Sequence, residues 1–531
     1  MNLTKLQWWE RFQKYYTEFP QIGLAIDLSR MNVDDAFFAA MEPKSQKALA
    51  DLAAIEKGAI ANPDENRMVG HYWLRNSKLA PTAEISQEIE AALIKIKEFA
   101  AKIHTGTIVG FGGAFKNFLL IGIGGSALGP QFVAHALGNP ASDKLKPFFF
   151  DNTDPDGMER VLAAIGSELN RTLCIVISKS GGTKETRNGM LVVQAAYEHA
   201  GLSFGNHTVA VTMSGSDLDK YSTSNQWIER FPMWDWVGGR TSELSAVGLL
   251  PAALQGINID EMLRGAKECD ESNRHKISIK CPSLQLALAW FESGNGIGSK
   301  NMVLLPYKDR LELFSKYLQQ LVMESLGKEL DLDKKVVHQG ITVLGNKGAT
   351  DQHSYVQQLR DGLNDYFAIF IEVLKDQSGS GLAVEGSVTS GDFLNGFYLG
   401  TRQALAENNR ESITITLNEV TPYTVGTLIA LFERAVSYYA SMININAYHQ
   451  PGVESGKKAA ANVISIQNKT LSFLSSNATR SFKAAEIAKQ IGTADEIELV
   501  FKICTHLSAN PSSRVSLIRS ESACETKFGF R

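Results

Sequence analysis

The chain has 531 residues, of which 44% are hydrophobic and 21% charged, with 53 Lys and Arg against 57 Asp and Glu. The resulting formal charge of −4 excludes a strongly basic nucleic-acid binder, and the high apolar content excludes a disordered chain. At about 150 residues per domain, this length predicts several folding units whose cores need neither disulfides nor a structural metal.

The five cysteines are scattered and show no spacing typical of a metal site or a disulfide framework. We therefore expect a reduced, cytoplasmic location. The N-terminal residues mix charges with apolar residues and do not resemble a signal peptide. No stretch approaches the roughly 18 apolar residues of a membrane span. These features favour an α/β enzyme with neither a membrane nor a nucleic-acid partner.

Taken in chain order, the pattern changes after about residue 105. Residues 1–105 are predicted to be an N-terminal helical segment, because apolar residues such as Ile85, Ile89 and Ile96 recur at helical spacing. Short apolar runs without alternation follow, which are typical of buried parallel strands. The runs are Phe118–Ile123, Pro147–Asp151, Leu173–Ser178 and Thr208–Met213, then Met302–Leu305, Ile341–Leu344, Phe367–Leu374 and Ile413–Leu417.

The two series of runs predict an α/β protein with two tandem three-layer αβα sandwiches, each built on a parallel sheet. The expected domains are residues 106–255 and 301–460, joined by a helical connection over residues 256–300. Residues 461–531 are expected to form a C-terminal helical segment and tail.

The first candidate motif is a glycine-rich turn after a predicted strand, in residues 119–130. Such a turn lets a ligand approach the backbone, and the following helix offers free N–H groups to an anion. A tight crossover without a ligand is the plainer alternative. The spacing of Gly122, Gly124 and Ala127 also fits a dinucleotide site, with Asp151 placed where a ribose-binding acid could lie.

The second motif is a loop rich in hydroxyls, in residues 174–186. Ser178, Ser180 and Thr183 surround two glycines, and Lys179 adds a cation. Several short donors at a helix start suit a phosphate monoester, although hydroxyls that merely cap the helix would give the same pattern. A dinucleotide would leave this loop without a role, so the sequence favours a sugar phosphate.

Two further motifs carry charged side chains. Arg240 follows two glycines and could face a developing anion, or could pair with Glu243 on the surface. Residues 315–331 are predicted to be helical, which places Gln320 and Glu324 on one face. An ion pair between Glu324 and Lys328 is favoured by spacing alone.

The last motifs hold His353, after a glycine-rich loop, and Gln450 and Lys457, in residues 447–460. Considered alone, such a histidine is usually solvated or a helix cap, and such a lysine is usually solvated.

Together these motifs resemble the glucose-6-phosphate isomerase (phosphoglucose isomerase) family, in its bacterial and plastid-type branch. IGIGGSALGP, SKSGGTKET, GGRTSELSAVGLLP, YLQQLVMESLGK, GNKGATDQHSYVQQLRDG and QPGVESGK occur in the family's order over roughly residues 119–460. The resemblance implies two sugar-isomerase (SIS) type domains, each with a five-stranded parallel core. It also implies reversible interconversion of glucose 6-phosphate and fructose 6-phosphate, in glycolysis and gluconeogenesis, without a cofactor or a metal.

The resemblance also implies roles for individual residues. The phosphate would be held by Ser126, Ser178, Lys179, Ser180 and Thr183, while Gln320 and Gln450 would line the pocket. Glu324 would move the proton between C2 and C1, and Arg240 would face the cis-enediolate. His353 and Lys457 would open the sugar ring. The family's dimers imply a homodimer in which His353 acts in the partner's site.

Two residues depart from the family pattern, namely His449 before the glutamine and Thr241 after the arginine.

The sequence also leaves rival functions to be compared with this one. A sugar-phosphate-binding regulator would not need Glu324, His353 and Lys457 together. A glutamine-dependent aminotransferase would need an N-terminal cysteine nucleophile, and residues 1–105 contain no cysteine. Acceptance of mannose 6-phosphate stays open.

Overall fold

The structure is a computed structural model that describes residues 3–531, without the side chains of residues 453–455, 457 and 458. The chain divides into two units, Met1–His449 and Gln450–Arg531, which we describe separately. Among the described residues, no helix is both long enough and apolar enough to cross a membrane.

The first unit contains most of the secondary structure. Its helices are α1 (Lys5–Tyr15), α2 (Asp35–Glu56), α3 (Ala83–His104), α4 (Leu128–Leu137), α5 (Pro155–Ile165), α6 (Lys184–His199), α7 (Asp217–Ser224), α8 (Ala246–Gln255), α9 (Ile259–Ser272), α10 (Pro282–Ser293), α11 (Phe314–Leu318), α12 (Val356–Asp361), α13 (Ser390–Glu407) and α14 (Pro422–Met442). Its strands are β1 (Tyr16–Phe19), β2 (Leu24–Arg30), β3 (Ile60–Asn62), β4 (Arg67–Met68), β5 (Asn117–Ile121), β6 (Lys146–Phe150), β7 (Thr172–Ile177), β8 (Thr208–Thr212), β9 (Glu229–Pro232), β10 (Asn301–Pro306), β11 (Lys328–Leu330), β12 (Val336–Gln339), β13 (Val343–Leu344), β14 (Tyr366–Val373), β15 (Ala383–Glu385), β16 (Val388–Thr389) and β17 (Ser412–Leu417).

The first large sheet has five parallel strands in the order β6-β5-β7-β8-β9. Every residue of β5, β7 and β8 is buried, because helices cover both faces of the sheet. The structure confirms the four strands that the short apolar runs predicted here. It adds β9, whose four residues include Glu229 and Arg230 and so lack an apolar run.

The second large sheet has six strands in the order β1-β2-β17-β14-β10-β13. Strands β17, β14, β10 and β13 are parallel, as predicted. Strand β2 runs antiparallel to β17, and β1 runs antiparallel to β2. The sheet is therefore mixed at one edge, which corrects the expectation of a purely parallel sheet of five strands.

Strands β1 and β2 also correct the prediction of a wholly helical segment over residues 1–105. Strand β2 is almost entirely buried, yet it carries Asp27 and Ser29. The Asp27 carboxylate forms an ion pair with Arg402 of α13, so its charge is compensated by a residue remote in sequence. A strand interrupted by charge does not give an apolar run, which is why the sequence pattern missed it.

Helix α14 is buried around nearly its whole circumference and packs against α2, α9 and α10. Helices α9 and α10 lie within the predicted helical connection. A buried ionic cluster joins these elements, since Asp270 lies 2.8 Å from Arg75 Nε and 2.5 Å from Arg434 Nε. The cluster ties α9 to α14 and to the turn that contains Arg75.

The second unit contains α15 (Pro451–Ser476), α16 (Ala484–Gln490) and α17 (Ile497–Ala509). It also contains a small antiparallel sheet of β18 (Phe482–Lys483), β19 (Val515–Ile518) and β20 (Lys527–Phe530), in the order β18-β20-β19. The prediction of a helical or irregular tail is wrong for these strands, which are too short to give a clear pattern. The domain boundaries proposed from sequence at residues 105, 255, 300 and 460 stay predictions.

Candidate active site

The glycine-rich turn lies between β5 and α4, at the carboxyl end of a central strand. A Cβ atom on Gly125 would lie 1.9 Å from the carbonyl oxygen of Gly239, and one on Gly124 would lie 3.1 Å from Gln320 Nε2. Gly124 also has a φ of +57°, which disfavours other residues. Because these two positions are glycines, the turn that ends at Ser126 can pack directly against the loop before Arg240 and against Gln320.

The hydroxyl-rich loop connects β7 to α6. Ser178 Oγ lies 3.4 Å from Thr183 Oγ1 and accepts a hydrogen bond of 3.1 Å from Gly181 N. Ser180 Oγ accepts one of 3.2 Å from Gly182 N. Thr183 is the N-cap residue of α6, but its side chain makes no capping hydrogen bond. Its hydroxyl thus stands at the positive end of a 16-residue helix, where an anion is stabilised.

The side chain of Lys179 is engaged in contacts with another loop, not with the hydroxyls. Its ammonium donates to the carbonyl oxygens of Asp235, at 2.8 Å, and Val237, at 3.0 Å. Burial and, to a lesser extent, the charge of Arg67 lower the pKa of Lys179 to about 8. The side chain ties the hydroxyl loop to the loop that leads to Arg240, whereas the sequence had suggested that it assists the phosphate.

The Thr183 hydroxyl, which does not cap its helix, gives a first prediction. In the double variant S180A/T183A, affinity for inorganic phosphate should fall by about 1–3 kcal/mol per donor lost if both hydroxyls bind one dianion, as the sequence motif predicts. The unfolding temperature should hardly change, because Thr183 does not cap its helix. Isothermal calorimetry with inorganic phosphate measures the first effect, and thermal unfolding measures the second.

Thr82 provides the matched control, because its hydroxyl does cap α3 by accepting from Ile85 N at 3.3 Å. Thr82→Ala should cost about 1 kcal/mol of stability and leave phosphate affinity unchanged. If S180A/T183A behaved like Thr82→Ala, the loop would have to be assigned to helix capping.

Arg240 and Glu324 form a partly enclosed ion pair. Arg240 Nε lies 3.4 Å from Glu324 Oε2, and their side chains are 5% and 19% exposed. The guanidinium also donates to the carbonyl oxygens of Ala447, at 3.2 Å, and His449, at 3.3 Å. The alternative partner Glu243 is buried, and neither of its carboxylate oxygens has a hydrogen-bond partner among the residues that the structure describes. The surface ion pair considered from the sequence is therefore not formed.

Glu324 stands on an irregular helix. Residues Gln319–Glu324 continue α11 as a π-helical turn, a form that recurs at functional sites. Gln320 Nε2 donates to Glu324 Oε2 at 3.0 Å, so the two side chains share a face as predicted. The helix ends at Leu326, however, and Lys328 begins β11, which corrects the prediction of a helix over residues 315–331.

The position of Lys328 changes its predicted contact. Its ammonium donates to the backbone carbonyl of Glu324 at 2.6 Å, and no ion pair forms between the two side chains in the described part of the chain. Glu324 therefore keeps its carboxylate directed at Arg240 and Gln320. The spacing of four residues had indicated a contact between Lys328 and Glu324, but as an ion pair between the two side chains. The contact that forms is with the backbone.

His353 is on the turn that precedes α12. It ends the 3-10 turn Thr350–His353 and is exposed. Asp351 fixes this turn by accepting from Asn346 N and Lys347 N, both at 3.0 Å, and from the Tyr355 hydroxyl. Among the described residues, no hydrogen bond or ion pair of Glu324 involves His353.

The two departures from the family pattern both make local contacts. Thr241 donates its hydroxyl to the Gly238 carbonyl at 3.3 Å, which closes the 3-10 turn Gly239–Thr241 that contains Arg240. His449 Nε2 lies 3.5 Å from Asp64 Oδ2, and burial lowers the pKa of this histidine. Sequence reasoning missed Asp64, for which no local pattern exists.

Two predicted residues belong to the second unit. Gln450 is the N-cap residue of α15, where its side chain makes no capping hydrogen bond. Lys457 lies on the same helix, and its side chain is outside the described residues. The role of each stays a prediction.

This chain is similar to known proteins of one family. A family profile described as phosphoglucose isomerase matches residues 27–401 and 398–482, which is most of the chain. The chain belongs to the phosphoglucose isomerase family. This finding confirms the resemblance drawn from the motifs.

Relatives of this family member match it from end to end. A glucose-6-phosphate isomerase of Geotalea daltonii is 58% identical over 99% of each chain, and one of Geobacter sulfurreducens is 56% identical over the whole of both. The crystal structure of a glucose-6-phosphate isomerase from Chlamydia trachomatis has a TM-score of 0.77 and 27% identity, and it covers 87% of this chain and 91% of that one. The α/β fold predicted from the sequence is confirmed.

Proposed function

We propose that this protein interconverts glucose 6-phosphate and fructose 6-phosphate through a cis-enediolate. The observation that carries the proposal is the contact of the Glu324 carboxylate with the buried Arg240 guanidinium, beside two loops suited to a sugar phosphate. The full-length relatives named glucose-6-phosphate isomerase support the same reaction. It belongs to glycolysis and gluconeogenesis, for which we propose a cytoplasmic location.

The chemistry requires a base and a cation at the same carbon atoms. Glu324 takes the proton from C2 of the open aldose and returns it to C1, while the hydroxyl proton passes from O2 to O1, so that the carbonyl group moves from C1 to C2. The oxygen that becomes negative in the enediolate is stabilised by Arg240, whose charge is fixed in a site of low polarity. Gln320 holds Glu324 Oε2 and so limits the directions in which the carboxylate can turn.

The remaining residues bind the substrate and open its ring. The hydroxyls of Ser178, Ser180 and Thr183 hold the phosphate, with Ser126 nearby, and this remote binding energy orients the sugar chain. His353 and Lys457 act as the acid and base of ring opening, and Gln450 lines the sugar pocket. None of these steps uses a metal or a cofactor.

We further propose that the protein is a homodimer in which His353 serves the partner's site. In one chain His353 is exposed and makes no hydrogen bond to Glu324. Its turn contacts α13, since Gln352 Nε2 lies 3.4 Å from the carbonyl oxygen of Phe397. Large apolar side chains on α13 and the preceding hairpin are exposed, namely Leu382, Val384, Val388, Phe393 and Phe397. A second copy that covers this surface would carry His353 towards a neighbouring site.

A coupled assay tests the proposed reaction. The purified protein should convert fructose 6-phosphate to glucose 6-phosphate, detected through a dehydrogenase specific for the product, and a chelator should not reduce the rate. Failure to form glucose 6-phosphate would refute the proposal. The same assay with mannose 6-phosphate, read as formation of fructose 6-phosphate, establishes whether the pocket discriminates at C2.

A further inference from the structure

Lys328 makes an unusual contact with the backbone of the proposed base. Helical structure ends at Leu326, so the Glu324 carbonyl no longer receives the backbone N–H that a longer helix would supply. The Lys328 ammonium takes that place and donates to this carbonyl oxygen at 2.6 Å. Lys328 itself is buried. One side chain thereby fixes the end of the π-helical turn that carries Glu324.

Lys328 lies among ionisable side chains of both signs. Arg240 and His449 face it from other elements, and Glu324 is the carboxylate that favours its charge. Asp64 is held by His449 and by Asn446, and in the described residues no carboxylate oxygen lies within ion-pair distance of Lys328 Nζ. Burial, with the charge of Arg240, lowers the pKa of Lys328 to about 7.

We propose that Lys328 is a positioning residue for the isomerisation, which holds the backbone of Glu324 and adds a second positive charge beside the Arg240–Glu324 pair. This inference rests on the function proposed above. The charge, together with that of Arg240, lowers the energy of the enediolate.

The two contributions of Lys328 respond differently to pH. A neutral amine still donates to the Glu324 carbonyl, so the backbone contact persists when the proton is lost. The positive charge is present below the pKa and disappears as pH rises through about 7. If Lys328 were purely structural, the rate would therefore not change around pH 7. If its charge assists catalysis, the rate should fall as the pH rises through this range.

The test uses 5-deoxyfructose 6-phosphate, an open-chain substrate that lacks the hydroxyl needed to close the furanose ring. With this substrate no ring has to be opened, so kcat does not depend on the ring-opening groups and measures the proton transfer. The wild-type kcat should decline as pH rises through about 7. Lys328→Met should lower kcat by about 100-fold at pH 6, because the base is misplaced and the charge is lost, and should abolish this decline. Lys328→Arg should restore much of the rate and keep it at higher pH.

Controls separate this role from general damage. Lys308 also donates its ammonium to backbone carbonyls, those of Lys375 and Asp376, and Lys308→Met should leave both kcat and its pH profile unchanged. Phosphate affinity should be retained in Lys328→Met. Wild-type kcat in Lys328→Met, or a decline with pH that persists in it, would overturn the inference. An inactive wild-type protein would instead refute the proposed function.

Discussion

Glu324→Gln is expected to reduce isomerisation by about 10²- to 10⁴-fold, the range that a general base contributes. Glutamine keeps the shape of the side chain and can still accept from Gln320 and Arg240, but it cannot take the proton from carbon. Phosphate affinity and the unfolding temperature should change little, because Arg240 retains its contacts with the carbonyls of Ala447 and His449. The coupled assay measures the rate, and incorporation of solvent deuterium at C2 measures proton transfer directly.

A neighbouring glutamate provides the control for this substitution. Glu329 is exposed on β11, and Glu329→Gln removes the same charge without touching Arg240 or Gln320. It should leave the rate near that of the wild type. Deuterium exchange at the wild-type rate in Glu324→Gln would contradict the assignment of Glu324 as the base and leave its ion pair with Arg240 as a structural feature.

The second large effect is expected from mixing two inactive variants. If each site takes Glu324 from one chain and His353 from the other, the Glu324→Gln and His353→Ala homodimers are both severely impaired. In a mixed dimer, one site receives both altered residues and the other receives neither. Random exchange of equal amounts makes about half of the dimers mixed, so activity should recover to about a quarter of the wild-type value.

The mixing experiment needs evidence that the subunits have exchanged. Native mass spectrometry of chains with different masses shows the fraction of mixed dimers. If both residues came from the same chain, every site would carry one altered residue and mixing would restore nothing. Absence of recovery in a sample that contains mixed dimers would therefore return His353 to its own subunit.

The sequence determined the parts of this protein whose pattern is local. Strands β5, β7 and β8 are buried on both faces, and such strands must be continuous apolar runs. The hydroxyl loop follows β7 directly, so its position at the end of a central strand could be inferred with the strand itself. Gln320 and Glu324 are four residues apart on one helical surface, and their hydrogen bond follows from that spacing.

Only the tertiary structure decided the contacts between segments remote in sequence. Strand β2 tolerates Asp27 because Arg402 of α13 neutralises it, and Lys179 reaches carbonyl groups more than 50 residues further along the chain. Lys328 has the spacing of an ion pair with Glu324, but the helix ends before it and the side chain meets the backbone instead. Arg240 is left as the cation that faces Glu324. Pairing of charges depends on which elements pack together, and no local pattern of residues contains that information.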